Sequence, residues 1–313
     1  MITVALPTWN NNDIVWLPME GLVRQKNSPE WELIILECRS ENEAGSEFFE
    51  SYWPKLQRAG CVRMKYMYSL KRMPLNLKWV AMAQQASCNS EMFLLQGSDD
   101  YPHPQRNEQA AKHDVDWYDC RKYYQYHIAL EKMIAYDNGQ TDPMEPKDWK
   151  TGFNMAIKTD LVRKIETTKY VRKGVDFWLF NTAGAKTRFV DQEIYNGLST
   201  TGLNTISNKR YEYFLNPKHP FRATETKPDD LKIPKTILKR LYELKDKATI
   251  DKETLDNRDV LVKFTKPLNG RLPGHKQYIP VHAMNYFLIR DAIEVIYHDR
   301  EPQKEFELCT QNC

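Results

Sequence analysis

Apolar runs of four to six residues punctuate the first hundred positions. Ile2–Leu6, Trp31–Leu36 and Met92–Leu95 are each short enough to be a buried strand, and Val62–Tyr66 also fits a strand. Between them lie stretches of helical character, Ile14–Gln25, 41–58 and Leu75–Ser87. Asn10 to Asp13 can cap the first of these, and Pro18 inside it predicts a late start or a kink. The alternation β-α-β-α-β-α-β calls for a mostly parallel sheet with right-handed crossovers and helices on its faces.

The pattern continues less regularly. Pro104–His113 reads as a helix and Val115–Cys120 as a strand, followed by an aromatic-rich stretch to Tyr136. Residues 137–150 are polar with Pro and Gly, a loop long enough to act as a flap. Phe153–Ile157 predicts a strand, Thr159–Ile165 a short helix, and Phe177–Ala183 a helix that Asp176 can cap. Lys186–Val190 predicts a strand and Asp191–Ser199 a turn and helix. Two more helices are expected near 229–248 and 280–298, the second from a stripe of Tyr286, Ile289, Ile293, Ile296 and Tyr297.

Composition changes the picture little. The chain has 313 residues, 41% apolar and 28% charged, as in soluble globular proteins. Its apolar runs fall far short of the roughly 20 residues that span a bilayer. The N-terminus enters a strand pattern without a basic flank or signal-like core, so a cytoplasmic protein without a membrane anchor is expected. The six cysteines form no C-x-x-C pair and stand beside no His cluster, which points to reduced thiols rather than zinc. Charge is uneven: residues 209–280 hold 17 Lys and Arg against 10 Asp and Glu. Such an excess fits an anionic partner, and it equally fits a solvated helical surface.

Candidate chemistry concentrates at residues 91–102, EMFLLQGSDDYP. Gly97-Ser98 ends the apolar run and two carboxylates, Asp99 and Asp100, follow at once. In an open α/β sheet that rim binds ligands. Carboxylate oxygens suit Mg2+ or Mn2+, which in turn suit phosphates. Taken alone, Asp-Asp is as readily a turn or a helix cap.

The order of motifs resembles the family-2 glycosyltransferases with the nucleotide-diphospho-sugar (GT-A) fold. The apolar strand with Gly97-Ser98-Asp99-Asp100 is similar to that family's Asp-Ser-Asp-Asp, with Gly97 in place of the first Asp. LPTWN resembles the first-strand motif, and WELIILECRSEN the second-strand motif Trp-Glu-Ile-Ile-Ile-Val-Asp-Asp-Gly-Ser. There Glu37 stands for the base-contacting Asp, and Cys38-Arg39-Ser40 replaces Asp-Gly-Ser. NLKWVAMA resembles a branch reading Asn-Trp-Asn-x-Ala-Leu, which brings in Lys78 beside Trp79. Val175-Asp176-Phe177-Trp178-Leu179 resembles Glu-Asp-Trp-Asp-Leu, whose Asp is the general base, and 213–222 the Arg-x-His-Pro segment.

What the resemblance implies is a GT-A domain over 1–222, with a nucleotide-binding half (1–103) and an acceptor half (104–222). A basic, mainly helical extension, 223–313, would follow. The nucleotide site would be lined by Pro7, Thr8, Trp9, Glu37, Arg39, Lys78, Ser98 and Asp99. Mn2+ or Mg2+ would be held by Asp99, Asp100 and His219, and Asp176 would be the base, with Asp191 and Glu193 in reserve. The expected activity is metal-dependent, inverting sugar transfer from a nucleotide-diphosphate sugar, expected to be a UDP-sugar, to a glycan or a hydroxylated base in DNA. Tyr211, Tyr213, Phe214 and Tyr278 among the basic residues could stack on bases. The alternative is a degenerate transferase fold that binds a glycan or nucleic acid without catalysis.

Overall fold

Four strands build the parallel part of the main sheet in the order β3-β2-β1-β4: β1 (Ile2–Trp9), β2 (Trp31–Cys38), β3 (Cys61–Ser69) and β4 (Met92–Leu95). The computed structural model describes residues 1–128, 131–137, 155–166, 171, 175–201, 222–226, 233–247, 259–264, 276–280 and 293–298. Strands buried on both faces read as continuous apolar runs, because alternate side chains enter different cores. In β2, Trp31, Leu33 and Ile35 enter one core while Ile34 and Leu36 enter the other. The crossovers carry α1 (Trp16–Leu22), α2 (Gly45–Ser51), α3 (Trp53–Arg58) and α4 (Leu75–Gln84). Helix α1 starts late, and Pro18 sits in its first turn, where a missing N–H costs no helical bond. The expected helix over 41–58 is two helices, broken at Tyr52 with Pro54 in the first turn of α3.

Beyond β4 the sheet turns mixed. A short β5 (Asp100–Pro102) leads to α5 (Arg106–Lys112), then to β6 (Trp117–His127), β7 (Lys132–Asp137) and β8 (Met155–Lys158). Strand β8 lies between β4 and β6, antiparallel to both. Helices α6 (Thr159–Arg163) and α7 (Val175–Ala183) follow. The turn and helix expected over Asp191–Ser199 belong instead to one strand, β9 (Arg188–Thr201). It pairs with β6 and with β5, and that pairing on two edges overrides local preference. β10 (Arg222–Thr226) adds to β7.

The chain divides into two units, Met1–Ile250 and Asp251–Cys313, later than the expected boundary at 222/223. The first unit therefore includes β10 and α8 (Lys235–Tyr242), whose Ile237, Leu238 and Leu241 share a third core with Trp16, Leu17 and Tyr126. In the second unit the described residues form a three-stranded antiparallel sheet, not a helical extension. Its strands are β11 (Asp259–Phe264), β12 (Lys276–Pro280) and β13 (Ile293–His298), in the order β12-β11-β13. Strand β13 replaces part of the helix expected over 280–298. Ile293, Val295 and Tyr297 also alternate with period two, and their β-branched and aromatic side chains favour the strand. Among the described residues no helix is long and apolar enough to cross a membrane. Cys38, Cys61, Cys88 and Cys120 are free thiols, and all but Cys88 are buried.

Candidate active site

The strand order reverses between β1 and β4, and in open α/β sheets ligands bind at the carboxyl ends of the strands at such a switch point. Strand β4 pairs with β1 only as far as Ala5, so Leu6 to Trp9 run on past it. Pro7 sits on that overhang, where its missing N–H breaks no ladder with β4. Lys78, from α4, is buried and donates to the Thr8 carbonyl at 2.7 Å. Burial lowers its pKa, and the nearby Cys38 sulfur partly offsets this. Trp9 is half-buried with the Arg72 guanidinium stacked 3.6 Å from its ring centroid.

Residues 96–100 form a turn whose backbone is fastened from several sides. The Gln96 N–H donates to the Ala5 carbonyl at 2.9 Å. Its side-chain amide donates to the carbonyls of Gly97 (2.9 Å) and Asp100 (2.8 Å). The buried Arg106 of α5 donates to Gln96 Oε1 at 2.5 Å and to the Leu95 carbonyl. Thr200 of β9 donates its hydroxyl to the Asp99 carbonyl at 2.7 Å, and Asn11 Nδ2 donates to Ser98 Oγ at 2.5 Å.

The turn presents two carboxylates. Asp99 is half-buried, and desolvation pushes its pKa up to about 6. Asp100 is buried, 6% exposed, and its pKa is raised well above the ordinary value. Desolvation is the main cause, the Asp99 charge comes second, and the Ser199 hydroxyl and Arg106 oppose the shift. Asp176 adds to it, so its carboxylate is close enough for its charge to act on Asp100. Asp176 lies in the first turn of α7, half-buried. The packing of α7 accounts for that placement: Val175, Leu179 and Ala183, one helical face, share a core with Trp79, Val80, Met82 and Ala83 of α4.

A divalent cation fits these residues. Asp100 Oδ1 is buried without a hydrogen-bond partner. A Cβ at Gly97 would collide with Asp100 Oδ2 and lie 3.4 Å from Asp99 Oδ1, so both carboxylates approach the space beside Gly97. Among the described residues no group of three His, Cys, Asp or Glu side chains forms a ready metal site. A cation here would be held by Asp99 and Asp100 and completed by phosphate oxygens and water, as Mg2+ often is.

No family model matches the chain, and none of the curated proteins does. Solved structures similar to it include S. aureus TarS 1–349 in complex with UDP, at 16% identity and a TM-score of 0.49, covering 64% of this chain and 61% of that one. The mannosyltransferase PcManGT from Pyrobaculum calidifontis, in complex with GDP-Man and Mn2+, is similar at 12% identity and a TM-score of 0.46, covering 70% and 61%. Glucosyl-3-phosphoglycerate synthase from Mycobacterium tuberculosis, with Mn2+, UDP-glucose and phosphoglyceric acid, follows at 11% identity and 0.36, covering 57% and 63%. The chain thus spans about three fifths of the length of each of these proteins.

The remaining sequence-derived residues fall in different places. Glu37, at the end of β2, accepts from the backbone N–H groups of Ala44 and Gly45 (2.9 Å each) and from the Tyr66 hydroxyl (2.7 Å), so three donors already hold it. Arg39 is exposed, with its backbone N–H bonded to the Ser69 carbonyl at 2.8 Å. Asp191, a reserve base, is buried in β9 well upstream of Ser199, the residue opposite Asp100, and accepts the Tyr118 hydroxyl at 2.8 Å. His219, residues 138–150, and Tyr211, Tyr213 and Phe214 lie outside the described residues. Sequence reasoning missed Asn11, Gln96, Arg106 and Thr200. Each bonds a partner in the turn or across the sheet, and only the Asn10–Asp13 run carried a local signal, that of a cap.

Proposed function

We propose that this chain is a metal-dependent inverting glycosyltransferase that moves a sugar from a nucleotide-diphosphate sugar to an acceptor hydroxyl. The observation that carries the reading is the carboxylate pair Asp99 and Asp100, which approach one space beside Gly97 just past β4, with the Asp176 charge acting on Asp100. Asp99 and Asp100 would hold Mn2+ or Mg2+ against the diphosphate, with the end of β1 and the Arg39 and Lys78 region around the nucleoside. The cation, when bound, neutralises charge on the departing diphosphate. Asp176 takes the proton of the acceptor hydroxyl as that oxygen forms the new glycosidic bond and the bond to diphosphate breaks. A single base placed opposite the leaving group gives inversion. The donor is expected to be a UDP-sugar, and the acceptor a glycan or a hydroxylated base in DNA.

Asp99→Asn is expected to abolish transfer and sugar-nucleotide hydrolysis with unchanged circular dichroism. Asp176→Asn should lower kcat and spare sugar-nucleotide binding. Near wild-type turnover in Asp99→Asn, or indifference to chelation, would sink the metal-dependent reading. Tight sugar-nucleotide binding without transfer or hydrolysis would leave the binding-protein alternative. A DNA titration at several salt concentrations separates the acceptors. Phosphate contacts lower log affinity by roughly 0.9 per log unit of salt for each phosphate neutralised, and no binding at low salt removes DNA.

A further inference from the structure

Asn11 reaches from the loop after β1 to the turn that carries the carboxylates, and its Nδ2 donates to Ser98 Oγ at 2.5 Å. The loop that presents it is tightly held. Asn10, at φ 55°, donates its N–H to Ser40 Oγ at 3.1 Å. Asn12 N–H donates to the Asn42 carbonyl at 3.3 Å. Asp13 accepts from Asn42 Nδ2 (2.9 Å) and Lys247 Nζ (2.6 Å). The Asn11 carbonyl accepts from the N–H groups of Ile14 (3.0 Å) and Val15 (2.8 Å). The Asn11 backbone is therefore held on both sides, and its side chain is tied to Ser98.

A serine hydroxyl has one proton to give and two lone pairs to offer. On Ser98 one lone pair receives the Asn11 N–H, so the hydroxyl proton points away from Asn11. Among the described residues no acceptor takes that proton, although Ser98 is buried to 9% exposure. A buried donor beside two carboxylates is suited to an oxygen that arrives with a ligand. We infer that Asn11 is a positioning residue: it sets the polarity of the Ser98 hydroxyl, which then donates a hydrogen bond to the diphosphate of the nucleotide beside Asp99. An amide performs this without adding charge next to Asp99 and Asp100. An aspartate at 11 would accept the Ser98 proton instead and repel the diphosphate. This inference rests on the proposed nucleotide-sugar reading and deepens it.

The test is a double-mutant cycle on the full chain, with UDP and GDP each titrated by calorimetry in excess Mn2+, and with Mn2+ alone. Ser98→Ala should weaken nucleotide binding by roughly tenfold, the scale of one hydrogen bond to a charged group. Asn11→Ala should weaken it less, and in the Ser98→Ala background it should add nothing. Ser98→Thr, which keeps the hydroxyl, should bind near the wild-type level. Binding of Mn2+ alone should be unchanged in Asn11→Ala, because the carboxylates are untouched. Additive losses, tighter nucleotide binding in Asn11→Ala, or an equal loss of Mn2+ alone would each overturn the positioning role. If Asn11→Ala does not fold, Ser98→Ala decides, and an unchanged affinity refutes the inference. A wild-type chain that binds neither nucleotide with Mn2+ removes the active-site reading and the inference with it.

Discussion

Gly97 and Asp100 compete for the same space, since a methyl group at 97 would overlap Asp100 Oδ2. Gly97→Ala is therefore expected to destabilise the fold by about 1–3 kcal/mol, the usual cost of overpacking, and to weaken Mn2+ binding. Asp100→Ala in the same chain should restore much of the lost stability, measured by urea denaturation, because the collision partner is gone. Asp100 also makes a pH prediction. Its folded pKa lies above the unfolded value near 3.8, and that of Asp99 is about 6. The folded chain thus holds protons that the unfolded chain releases, and through that window stability falls as pH rises. Asp100→Asn should raise the melting temperature of the metal-free protein at pH 7.5, and the gain should shrink toward pH 4. An unchanged or lower melting temperature at pH 7.5 would contradict the assigned desolvation.

At the scale of elements, the placement of Asp176 depends on how α7 is seated. Leu179 is fully buried in the core that α7 shares with α4, on the helix that carries Asp176. Leu179→Ala should cost about 2–5 kcal/mol and lower kcat more than nucleotide affinity, read by urea denaturation and steady-state kinetics. The elements most legible in the sequence were β1, β2 and β4, because both of their faces are buried and their runs are largely apolar. Strand β5 was not legible, and of β9 only the start, within the strand expected over Lys186–Val190, was. Their pairing partners lie far away in sequence, and Asp191–Ser199 has no run strong enough to declare a strand. The site divides the same way. Asp99 and Asp100 were singled out by the order of motifs around the apolar run they follow, and Asp176 by the resemblance of Val175–Leu179 to Glu-Asp-Trp-Asp-Leu. Gln96, Arg106 and Thr200 act on backbone carbonyls of the turn, which leaves no motif behind. Glu37 was singled out by resemblance alone, and the donors that hold it come from Tyr66 and the start of α2.

For the whole molecule, the division at Ile250 sets what each segment contributes. Helix α8 completes the core around Trp16, and the Arg240 guanidinium lies 4.0 Å from the Trp16 ring centroid. A chain cut after Ile250 should unfold cooperatively and retain Mn2+ binding, whereas one cut after Arg222 should lose stability by exposing that core. Similar urea midpoints for the two would place α8 outside the folding unit. The clamped turn at 96–100 has a consequence for the rate of ligand capture. Its carbonyls are already engaged by Gln96, Arg106 and Thr200, so an arriving cation has no loop to organise. Association would then be limited by diffusion and by the shedding of water, not by a conformational search. Amide exchange across the turn should be as slow in the bare protein as in the loaded one.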